Sequence, residues 1–236
     1  MDKFSRACAL FSMSINPRKT VVLAQGCAEI PTILLEGAPL DSVDKFCYLG
    51  STVSSNISPD AEIDVRIGKA ATMFGKLSAR VWQNKHLTRK TKMVVYQTCI
   101  LSIVLYGAET WTSYAKHERR LNAFHMRCIR NILGISWKDR VTNERVLEIA
   151  QLPSLFALLK QRRLRWLGHV HRMQPSRLPR RVLLGAIADA KRSVGRPMLR
   201  HKDCAKRDMH AFNIPVHQWE KLAEDRDKVA QTGVRR

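Results

Sequence analysis

The sequence predicts a mostly α-helical protein that begins with a small antiparallel β element and continues into a helical bundle and a basic helical C-terminal region. Three observations carry that prediction. Met93 to Ala108 (MVVYQTCILSIVLYGA) runs sixteen residues without a charge, in a chain of which 26% is Asp, Glu, Lys or Arg. Flanked by Lys90 and Lys92 before and Glu109 after, such a run predicts a helix buried all round. Beyond residue 58 apolar side chains recur at three- and four-residue spacing, the period of a helix with one packed face. Short β-branched and apolar runs broken by Gly and Pro lie in the first 57 residues.

The chain opens with Phe4, Cys8 and Phe11 at helical spacing, which predicts a helix tail ending before Ser14-Ile15-Asn16-Pro17, where proline forces an extended turn. Thr20 to Leu23 and Ile30 to Leu35 read as short strands. Gly37 and Pro39 supply the turn leading to a third, Phe46 to Leu49. Ser58-Pro59-Asp60-Ala61-Glu62 is a helix start: a serine cap, proline at the first helical position and acids facing the dipole. That helix should run to about Val81. Ile63, Ile67, Ala70, Phe74, Leu77 and Val81 form one stripe, and Arg66, Lys69, Lys76 and Arg80 form a second about 110° away. The second stripe is either a solvated charged face or a basic ridge that touches a polyanion.

Thr88 caps the uncharged helix, which is expected to extend from about Arg89 to Trp111. His117 to Leu133 is a further helix with Leu121, Phe124, Cys128 and Ile132 inward, Arg119, Arg120, Arg127 and Arg130 on another side, and Gly134 as the stop. From Thr142 the pattern gives a short helix, a Leu-Pro break, and a long helix capped by Ser154. Lys160 to Arg207 holds fifteen basic residues against Asp189 and Asp203. Trp166, His169 and His171 interleave with its arginines, which suits base stacking beside phosphate contact; the alternative is that Trp166, Leu167 and Val170 are core. Lys191 to Pro197 reads as an arginine-studded loop, and a last amphipathic helix begins near Val216, with Trp219, Leu222 and Ala223, before a frayed tail. The expected domains are 1–57, 58–135 and 136–236.

Composition bounds the function. The 236 residues carry 41 Lys and Arg against 20 Asp and Glu, a net charge of +21. A compact state with that charge repels itself unless something neutralises it, and the commonest counter-charge is nucleic-acid phosphate. The uncharged run is shorter than the roughly twenty apolar residues that span a bilayer, and it would bury Gln97, Thr98 and Ser102 in lipid, so no membrane association is expected. Six cysteines without a CxxC pair read as reduced thiols. The leading MDKFSRACALF lacks the charge pattern and length of a signal peptide, which places the expected residence inside the cell, in nucleus or cytoplasm.

Catalytic signatures are missing. No two aspartates are adjacent, and Asp2, Glu29, Glu36, Asp41 and Asp44 are not spaced to hold two magnesium ions. There is no Gly-rich phosphate loop, no Gly-x-Ser-x-Gly elbow and no HExxH, so neither a cofactor nor a small-molecule substrate is expected. His201, Cys204, His210 and His217 have the spacing of a zinc knuckle, but structural zinc is usually held by at least two cysteines; the plain reading is polar surface.

Several strings, in order, carry a resemblance. Ser14-Ile15-Asn16-Pro17-Arg18-Lys19-Thr20 looks like the last palm element of reverse transcriptases, and Phe46-Cys47-Tyr48-Leu49-Gly50-Ser51 resembles the hairpin that follows it and grips the primer end. Leu105 to Trp111, Trp137 to Asn143 and Leu164 to Val170 are similar to the thumb and C-terminal segments of endonuclease–reverse transcriptase polyproteins of non-LTR (LINE-type) retrotransposons. The resemblance implies a palm remnant, a thumb and a C-terminal region without the family's catalytic aspartates, which lie upstream of the Asn-Lys-Thr element together with the endonuclease domain. Two-metal nucleotidyl transfer needs those carboxylates, so the resemblance implies no polymerisation by this chain alone, with magnesium expected only in the full-length enzyme. It further implies Lys19 near the incoming triphosphate, Tyr48, Leu49 and Gly50 against the primer end, and Arg66, Lys69, Lys76 and Arg80 along an RNA or DNA template–primer backbone. Arg162, Arg163, Arg165, Trp166 and Arg172 extend the expected nucleic-acid surface. An upstream palm and endonuclease part of the same element is the expected protein partner. The main alternative is a stand-alone regulator in which Thr142 to Val170 forms a helix-turn-helix whose Arg162, Arg163 and Arg165 read the major groove. A third is a chain that binds nothing and is poorly stable, its palm strands left with an open edge.

Overall fold

The computed structural model describes residues 2–27, 29–185, 195 and 198–225. The architecture is mostly α with a small antiparallel β element near the N-terminus, as expected from sequence. The chain divides into two compact units, Met1–Val65 and Arg66–Arg236.

In the first unit, α1 (Asp2–Leu10) forms where the Phe4, Cys8, Phe11 spacing predicts it, yet Phe4 and Phe11 are 59% and 74% exposed. Asn16 caps a 3-10 turn over Pro17–Lys19, its side-chain oxygen accepting from the Arg18 N–H at 3.0 Å. Thr20 to Leu23 does not become a strand. Only Val22 bridges to Ser42, because the residues beyond are taken up by the next hairpin, starting with the Ser55 N–H to Asp44 carbonyl bond. Strand β1 (Leu34–Leu35) pairs with β2 (Ala38–Pro39), and β3 (Lys45–Tyr48) with β4 (Ser51–Ser54), both antiparallel. Ala38–Pro39 is thus a strand rather than part of a long turn, Leu49 is turn rather than strand, and β4 was not anticipated.

Each hairpin closes through two residues with positive φ, Glu36 (52°) with Gly37 (85°) and Leu49 (48°) with Gly50 (82°). That is the type I′ pattern whose twist matches the flanking strands, and it fixes Tyr48 opposite Ser51. The Glu62 carboxylate accepts from the Thr52 N–H at 2.6 Å, tying β4 to the first turn of α2 (Asp60–Lys76). Ser58 Oγ accepts from the Asp60 N–H at 3.3 Å, so the predicted cap forms.

The helix start is thus where the sequence puts it. At its far end α2 passes into a π turn over Ser78–Trp82. There the Trp82 indole N–H bonds the Phe74 carbonyl at 2.8 Å while its ring stacks on Phe74, centroids 4.9 Å apart.

In the second unit the uncharged run lies on one unbroken helical stretch, Arg89 to Val104, which stops short of Trp111, carries a π segment in its middle and is not buried all round. It comprises α3 (Arg89–Val95), a π segment (Tyr96–Leu101) and α4 (Ser102–Val104), and it ends where Gly107 turns to φ +69°. Thr88 caps it as predicted. Tyr96, Ile100, Val104 and Leu105 are sealed inside, whereas Val94, Gln97, Thr98, Ser102 and Tyr106 are exposed. The Thr98 and Ser102 hydroxyls donate back to the Val94 and Thr98 carbonyls, so a solvent face exists here that carries no charge.

Helix α5 (Ala115–Leu133) buries Leu121, Phe124, Cys128 and Ile132 and ends on Gly134 at φ +69°, whose N–H reaches the Arg130 and Asn131 carbonyls. Helix α6 (Asn143–Ala150) is capped by Thr142, and α7 (Leu155–His171) by Ser154 after the Leu152-Pro153 break. Two helices were not foreseen, α8 (Leu178–Leu184) and α9 (His201–Ala211); the last, α10 (Trp219–Glu224), starts later than Val216. Helix α7 packs against α5, α8, α9, α10 and the 3-10 turn Ala108–Thr110. Around it Leu164, Leu167, Val170, Leu183, Ala205 and Met209 form a core closed by Trp166, Phe212 and Trp219. Among the described residues no helix is long and apolar enough to cross a membrane. The tail expected to fray, beyond residue 225, and most of the expected loop Lys191 to Pro197 lie outside the described residues.

Candidate nucleic-acid interface

The cationic candidates separate into two classes, those at the surface and those built into the fold. In the first unit Lys19 ends an exposed 3-10 turn, and Tyr48 (62% exposed), Leu49 (77%) and Gly50 make the tip of the second hairpin. Along α2 and the π turn, Lys69, Lys76 and Arg80 are exposed; Lys69 and Lys76, seven residues apart, share a face by the 100° helical step. Arg66 departs from this ridge. It is buried, and its guanidinium lies 4.3 Å from the centroid of the Tyr106 ring, a cation–π contact.

The arginines of α7 are divided in the same way. Arg165 is exposed. Arg162 donates to the Leu105 carbonyl at 2.8 Å, and burial lowers its pKa. Arg163 has no exposed surface: it donates to the Asp208 carboxylate at 2.6 Å and to the Ser113 hydroxyl at 2.7 Å. Burial raises the Asp208 pKa, opposed by Arg163 and Arg207. Arg172, exposed, reaches the Ala223 carbonyl at 2.5 Å; Arg180 caps the Met173 carbonyl; Arg207 joins Glu118 at 2.7 Å and the Ser113 carbonyl at 3.3 Å. Arginines here clamp the ends of chain segments, satisfying carbonyls that helices leave open. A carbonyl bond leaves the positive charge in place, so the exposed members still contribute to the field.

This geometry counts against a recognition helix in α7. With α5, α8, α9 and α10 packed on it, α7 leaves to solvent only the stripe of Arg165, His169 and Arg172, and Arg163, one of three expected base readers, is locked on Asp208. The Arg-Arg-x-Arg pattern did not reveal which arginine would meet a buried acid, because that acid lies 45 residues further along. The aromatic residues between the arginines also pack: Trp166 is half-buried, edge-on to His201 with centroids 5.2 Å apart, and His171 is edge-on to Trp219 at 5.1 Å.

Of the zinc candidates, Cys204 is buried with its Sγ 3.8 Å from the Ser113 carbonyl, and His201 Nε2 is 2.9 Å from the Glu109 carbonyl. Burial raises the Cys204 pKa and lowers that of His201. Among the described residues no three His, Cys, Asp or Glu side chains are grouped to hold a metal.

Sequence reasoning missed a pocket. With α8 and the start of α9 in place, Trp166 becomes one wall of an open cavity of about 740 Å³, faced by Leu178, Val182, Leu183, Arg200, His201 and Lys202. The signal was Leu178-Pro179 followed by Val182 and Leu183, a proline in the first turn of a short apolar stripe.

No family model matches the chain, and no solved structure does. Over 238 aligned positions it is 24% identical to a transposon-derived protein of Caenorhabditis elegans, covering 96% of this chain and 84% of that one. Over 143 positions it is 26% identical to a Drosophila melanogaster protein named "Probable RNA-directed DNA polymerase from transposon BS", covering 57% of this chain and only 16% of the fly protein. The relatives of this chain are therefore transposon-derived proteins, one of them named for a polymerase of which the chain spans a small part.

Proposed function

We propose that the chain is the C-terminal part of a non-LTR retrotransposon RNA-directed DNA polymerase, a fragment that lacks the catalytic aspartates and keeps a sequence-nonspecific surface for an RNA or DNA template–primer. In this reading residues 1–57 are the palm end with its primer-grip hairpin, 58–135 the thumb and 136–236 the basic C-terminal region. The observation that carries it is the match to the fly polymerase in a chain whose Lys69, Lys76 and Arg80 are all exposed.

The roles follow from chemistry. Phosphate contacts need exposed, mobile cations, which Lys69, Lys76, Arg80 and Arg165 supply. The hairpin tip at Tyr48, Leu49 and Gly50 offers an exposed aromatic ring on a tight turn to a strand end, and Lys19 a point charge to a phosphate. Arg163 and Arg66 are positioning residues that set α7 and α2 rather than phosphate ligands. Magnesium belongs to the upstream carboxylates of the complete enzyme, and that upstream part is the partner the first unit would meet.

A primer-extension assay tests the reading. The purified chain, given an annealed RNA template and DNA primer with magnesium and nucleotides, should shift the hybrid in a gel without lengthening the primer. Incorporation of nucleotides by this polypeptide, or failure to bind any hybrid, would overturn it.

A further inference from the structure

We propose that the pocket between α7, α8 and the start of α9 takes one unpaired nucleotide, so that the protein prefers a strand end or overhang to a fully paired duplex. This rests on the nucleic-acid reading above and deepens it. The cavity, about 740 Å³, falls within the size range of sites for small ligands, about 300–1,000 Å³. A paired duplex hides its base faces in the stack and is too wide to enter; a base turned out of the stack can.

The lining matches a nucleotide in two parts. Trp166, Leu178, Val182 and Leu183 offer aromatic and aliphatic surface, which accepts any base by its face. Arg200 and Lys202, both exposed, stand at the same opening and suit the phosphates on either side. No acid lines the pocket among the described residues. The cationic rim is what favours a nucleotide over an apolar peptide.

The site is also preorganised. The Trp166 indole is held edge-on by His201 at an interplanar angle of 73°, and His201 is itself fixed to the Glu109 carbonyl at 2.9 Å. A wall already set in place loses little freedom on binding. Leu178 and Val182, one helical turn apart, remain 69% and 72% exposed, so a base laid on them removes apolar surface from water.

Fluorescence anisotropy on the full chain tests this with a blunt duplex, the same duplex carrying a four-nucleotide DNA overhang, and a third carrying an RNA overhang. A stacked base should strengthen binding about tenfold over the blunt duplex, and the two overhang arms report which sugar is preferred. Val182→Glu should abolish the gain, while Val94→Glu, the same charge change at an exposed valine outside the pocket, should retain it. Equal affinity for blunt and overhanging probes, or a gain that survives Val182→Glu, would overturn the proposal and leave the broader reading standing. Absence of binding to all three probes would remove both.

Discussion

Arg163 on α7 and Asp208 on α9 meet at 2.6 Å with neither side chain exposed to solvent. The pair joins two helices that the sequence separates by 45 residues. Burial raises the carboxyl pKa even with the guanidinium in contact, because the cost of desolvating the carboxylate outweighs the attraction it gains. Removing one partner is then far worse than removing both. Asp208→Asn should cost about 3–5 kcal/mol, and Arg163→Met combined with Asp208→Leu distinctly less. Urea unfolding of the three proteins measures this, and equal losses would show that the pair is not the joint.

His125 sets a pH dependence. Its ring is fully buried, with Nδ1 2.9 Å from the Tyr96 hydroxyl, and burial lowers its pKa from 6.5 to about 4. The unfolded chain takes up a proton near pH 6.5 that the folded chain refuses until about pH 4. Stability from this group is complete above pH 6.5 and is lost as pH falls toward 4, by up to about 3 kcal/mol. Asp208, whose pKa is raised, acts in the opposite sense, so the test compares wild type with His125→Asn. The difference between their unfolding free energies should narrow by that amount from pH 7 to pH 4; a constant difference would contradict it.

The thiols should react in three classes. Cys27 and Cys47 are exposed, Cys8 and Cys99 half-buried, Cys128 and Cys204 buried. Burial pushes the Cys128 pKa up to about 12, which leaves almost no thiolate at neutral pH. Timed alkylation read by mass spectrometry should modify Cys27 and Cys47 first and Cys128 and Cys204 only with unfolding. Early labelling of Cys128 would mean that α5 does not pack as described.

Much of the fold was legible because its signals are local. The caps at Ser58, Thr88 and Ser154 and the stop at Gly134 each depend on a few neighbouring residues, and all form where the sequence places them. What was hidden depends on distant partners. The solvent face of Met93 to Ala108 is uncharged because Thr98 and Ser102 bond their own backbone, so lack of charge passed for burial. Helix α9 reads as polar surface until Asp208 is seen inside, matched to Arg163. In the candidate interface, spacing found the arginines but not their division between solvent and carbonyl clamps. Arg66 and Arg163 are buried, while Lys69, Lys76, Arg80 and Arg165 are exposed.

The account turns on exposed positive charge that contacts phosphate without reading sequence, and the salt dependence of binding measures that directly. Association constants for two unrelated duplexes of equal length, taken across a range of salt, should fall on parallel log–log lines with a slope of about −0.9 per phosphate contacted. Reversing Lys69, Lys76 and Arg80 to Glu should flatten the slope by about 3 for both duplexes. Binding that ignores salt, or affinities that differ strongly between the two sequences, would contradict the account.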